Sequence, residues 1–326
     1  IVESVQRLSD STGVIKLKLE DGEGGTCQKD DICIGMYQFG DGEDSTEDMD
    51  DLKRQFDSAR KEAQNAFGDP GVYIEKFIRS PRHIEVQLMA DEHGNVIHLG
   101  ARDCSLQMNH QKVIEEAPPE GVDQETLDRL YETSVRAAKS VSYTSVGTIE
   151  YLLDQDGSYY FMEMNTRIQV EHPITEMVTG IDIVRDQVLI ACGERLAYKQ
   201  EDILIRGHAI ECRINAYDSD NNFLPSVGKI QALNIPGGYG VRVDSAIYQG
   251  YEVLPFYDSM LAKVISYGRD RKEAIRIMNR ALEEFVVEGV KTNIGFNLKL
   301  INDPVFIENK YDTSYLERSI DDTRPL

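Results

Sequence analysis

The stretch FMEMNTRIQVEHP, residues 161–173, sets a polar side chain at every second position: Glu163, Asn165, Arg167, Gln169 and Glu171. In an extended chain alternate side chains share one face. That face would carry acid, amide, base, amide and acid in order. Charges that leave water need a partner or a ligand. Glu150 in GTIEYLL and Glu163 in YYFMEMN fall on two neighbouring strand-like runs. Adjacent strands lie ~4.8 Å apart, so the two carboxylates and the Asn165 carbonyl could hold a hard cation such as Mg²⁺ or Mn²⁺. A surface ion pair is the plainer alternative for each glutamate. Beyond Asn165, Arg167 offers a planar fork for a small oxyanion. Gln169 adds a neutral donor, and Glu171 could take a proton from the bound anion as a general base. His172 reads as structural.

The elements that must position these residues are legible from periodicity. RHIEVQLMAD and NVIHLGARDCSL alternate as strands and join across DEHGN, a hairpin signal. VGTIEYLLD and SYYFMEMN form a second hairpin through QDG, and GVYIEKFI and GVIKLKL read as further strands. Residues 51–68 place Leu52, Phe56, Ala59, Ala63 and Phe67 at helical spacing. Residues 123–141 form an amphipathic helix. PITEMVTGIDIVRDQVLIACG reads as one helix from Pro173 to near Gly193. After a boundary near 200–206 come short strands with Gly/Pro turns, then a helix over 270–287 with Ile275, Met278, Ala281, Leu282 and Phe285 on one face. Two α+β units are the simplest account.

Bulk properties narrow the function classes. With 326 residues, 41% hydrophobic and 28% charged, the chain is a globular protein with room for two or three compact units. The net charge of −22 argues against nucleic acid and anionic membrane as partners. No apolar run reaches membrane-spanning length and no signal peptide is visible, so the cytoplasm is expected, or an organelle matrix or stroma if a transit peptide has been removed from before Ile1. The five cysteines form no C-x-x-C pair, which fits reduced thiols rather than zinc.

EMNTRIQVEHPITEMVTG closely resembles the signature of biotin carboxylases, the ATP-grasp component of biotin-dependent carboxylases. PRHIEVQ, RDCSLQ…HQKVIEEAP, RGHAIECRINA, FLPSVGKI, PGGYGVRVDSAIYQGY, YDSMLAKVI and EGVKTN match in order, from about residue 71 to the end. The resemblance implies an α+β chain: a divergent acidic segment with a remnant of the ATP-grasp small lobe over 1–70, an ATP-grasp domain over 71–204, and a biotin carboxylase C-terminal domain over 205–326. It implies that MgATP phosphorylates bicarbonate, and that the CO₂ of carboxyphosphate passes to biotin on a separate carrier. By the same match Glu150, Glu163 and Asn165 hold the metal. Arg167, Gln169 and the Val170 main chain bind bicarbonate, and Glu171 deprotonates it. Lys112 contacts the transferring group, and Arg242 stabilises the biotin enolate. Lys18, Glu75, Lys76, His83, Gln107, His110, Glu150, Leu152 and Glu163 line the nucleotide site. A biotin carboxyl carrier, carboxyltransferase subunits and an oligomeric complex are the implied partners, since no biotinyl-lysine motif is present.

The chain departs from the family pattern in three places. The family's N-terminal Rossmann-like domain, which supplies an ATP-contacting lysine, has no counterpart in these residues. The phosphate loop after Lys18 reads LEDGEGGTC, with Asp21 and Glu23 among its glycines. Carboxylates repel a ligand that backbone N–H groups are meant to cradle. Ala101 replaces an acid before RDCS, and Met108 and Asn109 replace a pair of arginines before HQK. These changes predict weaker ATP binding. They set a working carboxylase component against two other readings: a non-catalytic paralogue in a carboxylase complex, and a different ATP-grasp ligase.

Overall fold

The computed structural model describes residues 2–7, 15–19, 32–36, 44–45, 49–76, 78–108, 111–219, 221 and 223–321. Up to residue 52, and at 67, 73–76 and 320–321, the description is of the backbone alone. The chain divides into two compact units, Ile1–Arg79 and Ser80–Leu326. In the first, β1 (Val2–Arg7) pairs antiparallel with β2 (Ile15–Leu19). A second sheet orders β3 (Ile32–Met36) between β4 (Asp44–Ser45) and β5 (Val72–Lys76). Helix α1 (Met49–Phe67) buries Ala59 and Ala63 beside Val72, with Phe56 partly covered, as the helical spacing predicts. The glycine-rich loop after Lys18 and His110 lie outside the described residues, as do the side chains of Lys18, Glu75 and Lys76.

The second unit is built on β6 (Arg82–Ala90), β7 (Val96–Met108), β8 (Gln111–Ala117), helix α2 (Gln124–Ser140), β9 (Ser145–Leu153) and β10 (Tyr159–Asn165). Helices α3 (His172–Thr179) and α4 (Ile183–Ala191) and strand β11 (His208–Asn215) follow. Short strands β12 (Tyr217–Asp218), β13 (Leu224–Pro225), β14 (Gly228–Lys229) and β15 (Ala232–Asn234) lead to β16 (Val241–Ser245) and β17 (Glu252–Val253). The chain then runs through β18 (Met260–Gly268), α5 (Arg271–Glu284), β19 (Val286–Glu288), α6 (Ile294–Ile301), α7 (Pro304–Ile307) and α8 (Tyr315–Asp321). One antiparallel eight-stranded sheet takes the order β10-β9-β6-β7-β8-β11-β18-β16. Its β8–β11 pairing carries the sheet across residue 205 without a break.

Period-two alternation gives β6 and β9 two unlike faces. Ile84, Val86, Leu88, Ile149, Tyr151 and Leu153 point to α2, where Leu127, Leu130, Tyr131 and Ala138 cover them. Asp123 caps that helix by accepting from the Thr126 N–H at 2.9 Å. A second core joins Ile114, Ile210, Cys212, Val264 and Ala262 to Ala274, Met278, Ala281 and Leu282 of α5 and to Phe296, Leu300 and Ile301 of α6.

Two expected elements change. The single helix expected from Pro173 to Gly193 is two, because Gly180 adopts φ 74° and ends α3. Asp182 then caps α4 by accepting from Arg185 N–H at 2.8 Å. The extended chain expected through Glu171 stops at Asn165. Residues 166–171 turn instead into α3, which has Pro173 in its first turn.

Candidate active site

The second face of β6 and β9 carries the chemistry. The register shifts between Phe161 and Glu163, so that Phe161 pairs with Tyr151 but Glu163 with Glu150. Without this bulge Met162 would stand opposite Glu150. The result is a cross-strand row of four charged residues: Glu163 on β10, Glu150 on β9, Glu85 on β6 and Arg102 on β7. Asn165, Thr148 and Gln87 form the next row, and Leu152 pairs with His83 on the other side.

Arg102 is fully buried and spends every arm. Its Nε donates to Glu85. One terminal nitrogen donates to Gln87 Oε1 at 2.7 Å and Thr175 Oγ1 at 2.9 Å. The other reaches Thr148 Oγ1 at 3.2 Å and Gln169 Oε1 at 2.9 Å. Lys112 Nζ stands among three carboxylates, 2.7 Å from Glu85, 3.1 Å from Glu150 and 2.6 Å from Glu171. Burial would raise Glu85, but Arg102 and Lys112 outweigh it and hold it down at about 2. Burial is likewise outweighed at Glu150, held at about 2 by His83 and Lys112. Burial opposes the charge on Lys112 too, and the surrounding carboxylates, Glu85 foremost, overcome it and raise its pKa.

The turn before α3 delivers Gln169, Val170 and Glu171 to the same place. Gln169 Nε2 donates to Glu150 Oε1 at 2.5 Å. The Val170 carbonyl accepts from Lys263 Nζ at 2.8 Å. Glu171, 2% exposed, binds Lys112 through Oε1 and Arg213 through Oε2, the latter at 3.1 Å. His172 Nδ1 lies 2.7 Å from the Gln169 carbonyl and braces the turn, the structural part expected of it. His83 Nε2 lies 3.0 Å from Glu150 Oε2, and its Nδ1 lies 2.7 Å from Gln107 Nε2.

Two expected site residues stand apart from this cluster. Arg167 is exposed, with its guanidinium donating to the Ile168 carbonyl at 3.1 Å. Arg242 grips Asp244 with two arms at 2.8 Å each and Glu176 with a third at 2.7 Å. It borders an open cavity of about 370 Å³ with Glu176, Gly180, Asp182 and Val184, whose lining does not include Glu171.

For a divalent cation, two places compete. His83, Glu85 and Glu150 bring ligand atoms within 4.8 Å of one another. The Lys112 ammonium already neutralises Glu85 and Glu150 there. At the outer end, Asn165 Nδ2 bridges Glu150 Oε1 at 3.0 Å and Glu163 Oε1 at 2.8 Å. With the Asn165 amide turned so that its oxygen, in place of Nδ2, faces the two carboxylates, the three make an all-oxygen donor set, which fits Mg²⁺ or Mn²⁺.

A family model described as "Carbamoyl-phosphate synthase L chain, ATP binding domain" matches residues 35–199, and one described as "Biotin carboxylase C-terminal domain" matches residues 211–318. Biotin carboxylase 1 of Bacillus subtilis is 54% identical over 259 residues, 79% of this chain and 58% of that protein. A pyruvate carboxylase subunit from Methanothermobacter thermautotrophicus is 47% identical over 316 residues, 97% of this chain and 61% of that one. The crystal structure of the Campylobacter jejuni biotin carboxylase–β,γ-ATP complex superposes with a TM-score of 0.84 at 47% identity, covering 88% of this chain and 65% of that one. The biotin carboxylase domain dimer of Hydrogenobacter thermophilus 2-oxoglutarate carboxylase, solved with MgADP, ADP and bicarbonate, also gives 0.84, at 43% identity and with 91% and 66% covered. The chain belongs to the biotin carboxylase family. Its fold is the ATP-grasp fold followed by the biotin carboxylase C-terminal domain. The chain spans 58–61% of the length of the two curated relatives named above.

Within a biotin carboxylase, the residues that periodicity and motif do not single out are those that hold the site residues in place. Glu85 and Gln87 alternate in RHIEVQ just as Glu163 and Asn165 do in FMEMN, and that spacing was the available signal. Arg102 and Arg213 lie inside the motifs ARDCS and ECRIN. Nothing in a single sequence says that Arg102 closes on Glu85 or that Arg213 reaches across to Glu171.

Proposed function

We propose that this chain is the biotin carboxylase component of a biotin-dependent carboxylase, using ATP and bicarbonate to carboxylate biotin borne on a separate carrier. The observation that carries the reading is Glu171: a buried carboxylate with Lys112 on one oxygen and Arg213 on the other, beside the Glu150 row. Glu171 takes the bicarbonate proton, and the freed oxygen attacks the terminal phosphorus of ATP. ADP leaves, and carboxyphosphate breaks down to CO₂ and phosphate. The CO₂ carbon bonds to N1′ of biotin as the N–H proton passes to the released phosphate. Gln169, Arg167 and the Val170 main chain orient the anion, and Lys112 offsets the charge of the transferring group. Glu150, Glu163 and Asn165 would hold the divalent metal, whose chemistry is to neutralise phosphate charge. His83, Gln107 and Leu152 border the nucleotide side, with Lys18, Glu75, Lys76 and His110 assigned there by the family match.

Two arginines compete for the oxyanion of the biotin enolate. Arg242 meets that role only by releasing Asp244 or Glu176. Arg213 already stands beside the base, which makes it the nearer choice.

The relatives favour a working component over a non-catalytic paralogue. The Methanothermobacter relative is named for pyruvate and the Bacillus one for biotin alone, so we keep two acceptors for this chain's complex: acetyl-CoA, feeding fatty acid synthesis, and pyruvate. A carrier protein and carboxyltransferase subunits complete either complex. Cytoplasm, or an organelle stroma as in the chloroplastic Populus relatives, is the compartment we assign; no helix among the described residues is long and apolar enough to cross a membrane. The test is bicarbonate-dependent ADP release with free biotin. Wild type turns over, and Glu171→Gln loses at least about 100-fold in kcat, the scale of a general base. Equal rates in the two proteins would remove Glu171 as the base.

A further inference from the structure

Glu115 on β8 and Glu211 on β11 are directly opposed in the antiparallel register, and neither is exposed to solvent. Opposed residues on one face of such a pair have Cβ atoms roughly 5 Å apart. Both carboxyls lie on the face that α3 covers, next to the apolar patch of Ala117, Ala209, Ile174, Val178 and Ile265. Glu115 Oε1 accepts from Arg213 Nε at 2.5 Å. Glu115 Oε2 and both oxygens of Glu211 are buried, and no donor among the described residues reaches any of the three. The charged groups facing Glu211 are Glu115 on β8, Arg213 on its own strand, Lys263 on β18 and Glu171 from the turn before α3. Lys263 is engaged by the Val170 carbonyl and Asp244, and Arg213 by Glu115 and Glu171. From α3, His172 is held at the Gln169 carbonyl and Glu176 at Arg242. Lys112 faces Glu115 from β8 but is engaged by Glu85, Glu150 and Glu171.

Two ionised carboxylates this close, with one guanidinium bonded to Glu115 and none to Glu211, would leave a buried charge without a donor. Taking up a proton is the less costly state. We propose that Glu211 carries a proton, that it shares this proton with Glu115 as a single acid pair, and that this pair is a positioning device for Arg213. It rests on the function proposed above only where it concerns turnover. With one proton the pair has a single negative charge, which holds the Arg213 Nε and leaves its other arm for Glu171. Losing that proton gives the pair a second negative charge, which draws the guanidinium off Glu171. Burial, then the facing Glu115, pushes Glu211 well above the ordinary carboxylate range, and burial lifts Glu115 to about 7 against the pull of Arg213. The pair titrates as a unit, and Glu211 is the member that keeps the proton.

The decisive experiment compares the full chain with Glu211→Gln and Glu115→Gln. A carboxyl held protonated when folded destabilises the fold progressively as pH rises above its unfolded value. Glu211→Gln mimics the protonated group, so its urea midpoint gains on wild type between about pH 5 and about pH 8. Glu115→Gln, which strips Arg213 of its anion, has a lower midpoint at both. In infrared spectra Glu211→Gln loses the carbonyl band of a protonated carboxylic acid. In turnover, Glu211→Gln keeps the wild-type KM for bicarbonate at neutral pH and extends kcat to higher pH. A midpoint for Glu211→Gln that falls behind wild type as pH rises, or an unchanged infrared band, overturns the proposal. The stability and infrared readings need no activity, so a chain that releases no ADP would refute the proposed function and leave this test standing.

Discussion

Arg102→Met removes the charge from the middle of the site at nearly constant side-chain length. Glu85, wholly buried, is held at about 2 against an ordinary 4.5. That displacement corresponds to about 3 kcal/mol in favour of the ionised carboxylate, and Arg102 and Lys112 share it. Because Glu85 is held below its ordinary value, its contribution is complete above about pH 4.5 and is lost as pH falls toward 2. The variant keeps Lys112 on Glu85 but leaves Gln169 Oε1 without the donor seen here and Gln87 Oε1 with only the long 3.5 Å contact from Thr148 Oγ1. Each lost donor costs about 1 kcal/mol. The total comes to about 4 kcal/mol, within the roughly 3–5 kcal/mol for breaking a buried pair from one side. At an m-value of about 3 kcal/mol/M, suited to a unit this large, the urea midpoint should fall by about 1.3 M. Far-ultraviolet circular dichroism is the assay, since the chain has no tryptophan. At about pH 3 the loss should shrink by roughly a third, because the unfolded chain and the variant then protonate Glu85 while most of the folded wild type does not. A midpoint drop under about 0.3 M at neutral pH, or one of equal size at both, would refute the reasoning.

Two further outcomes follow from the same geometry. Glu116 is buried against His208 and Arg271, which outweigh the burial and hold it at about 2; Tyr311 also donates to it. Its contribution, about 3 kcal/mol, is present above about pH 4.5 and disappears toward pH 2, so Glu116→Gln should be less stable than wild type at neutral pH and flatter in acid; parallel acid profiles in urea titrations would count against this. For the two arginines, Arg213→Lys should lower kcat for biotin carboxylation about 100-fold, while Arg242→Lys mainly raises KM for biotin; the reverse pattern in steady-state kinetics would return the enolate to Arg242.

The rows on β9 and β10 were legible because period two survives in a single sequence: Glu150, Glu163 and Asn165 meet as the hairpin reading implied. The bulge that aligns them was not, since inserting Met162 leaves the alternation of its neighbours untouched. The extension of that alternation to Glu171 was misleading. Gln169 and Glu171 reach the site because residues 166–171 turn, and a turn of that length can imitate strand spacing. Pro173 beside His172 was the clue to a helix start. The break at Gly180 was likewise visible as a glycine, but only its φ of 74° shows that it ends the helix. Ala101 and Met108 read as lost charges, yet both are buried, Ala101 in the core under α2 and Met108 in the core with Ile114. Long-range closure, Arg102 on Thr175 or Arg213 on Glu171, depends on strand order, which periodicity does not encode.

The two faces of β6 and β9 explain why so much charge can be kept out of water. On the α2 side, each fully buried aliphatic such as Ile84, Leu88 or Ile149 contributes roughly 1.5–3 kcal/mol. On the other side, Glu85, Arg102 and Lys112 add little net stability, since apolar residues of the same volume would do as well or better. Their burial has another effect. Charges fixed in a low-dielectric pocket act on a bound anion at close to full strength and need no reorganisation when it reacts. A one-residue slip of β6 on β9 would exchange the faces, sending Ile84 to the pocket and Glu85 under α2. That exchange would cost the whole apolar contribution. The helix contact that never touches a reactant is therefore what holds the register of the charged row, and the bulge at Met162 extends that register by one strand to Glu163.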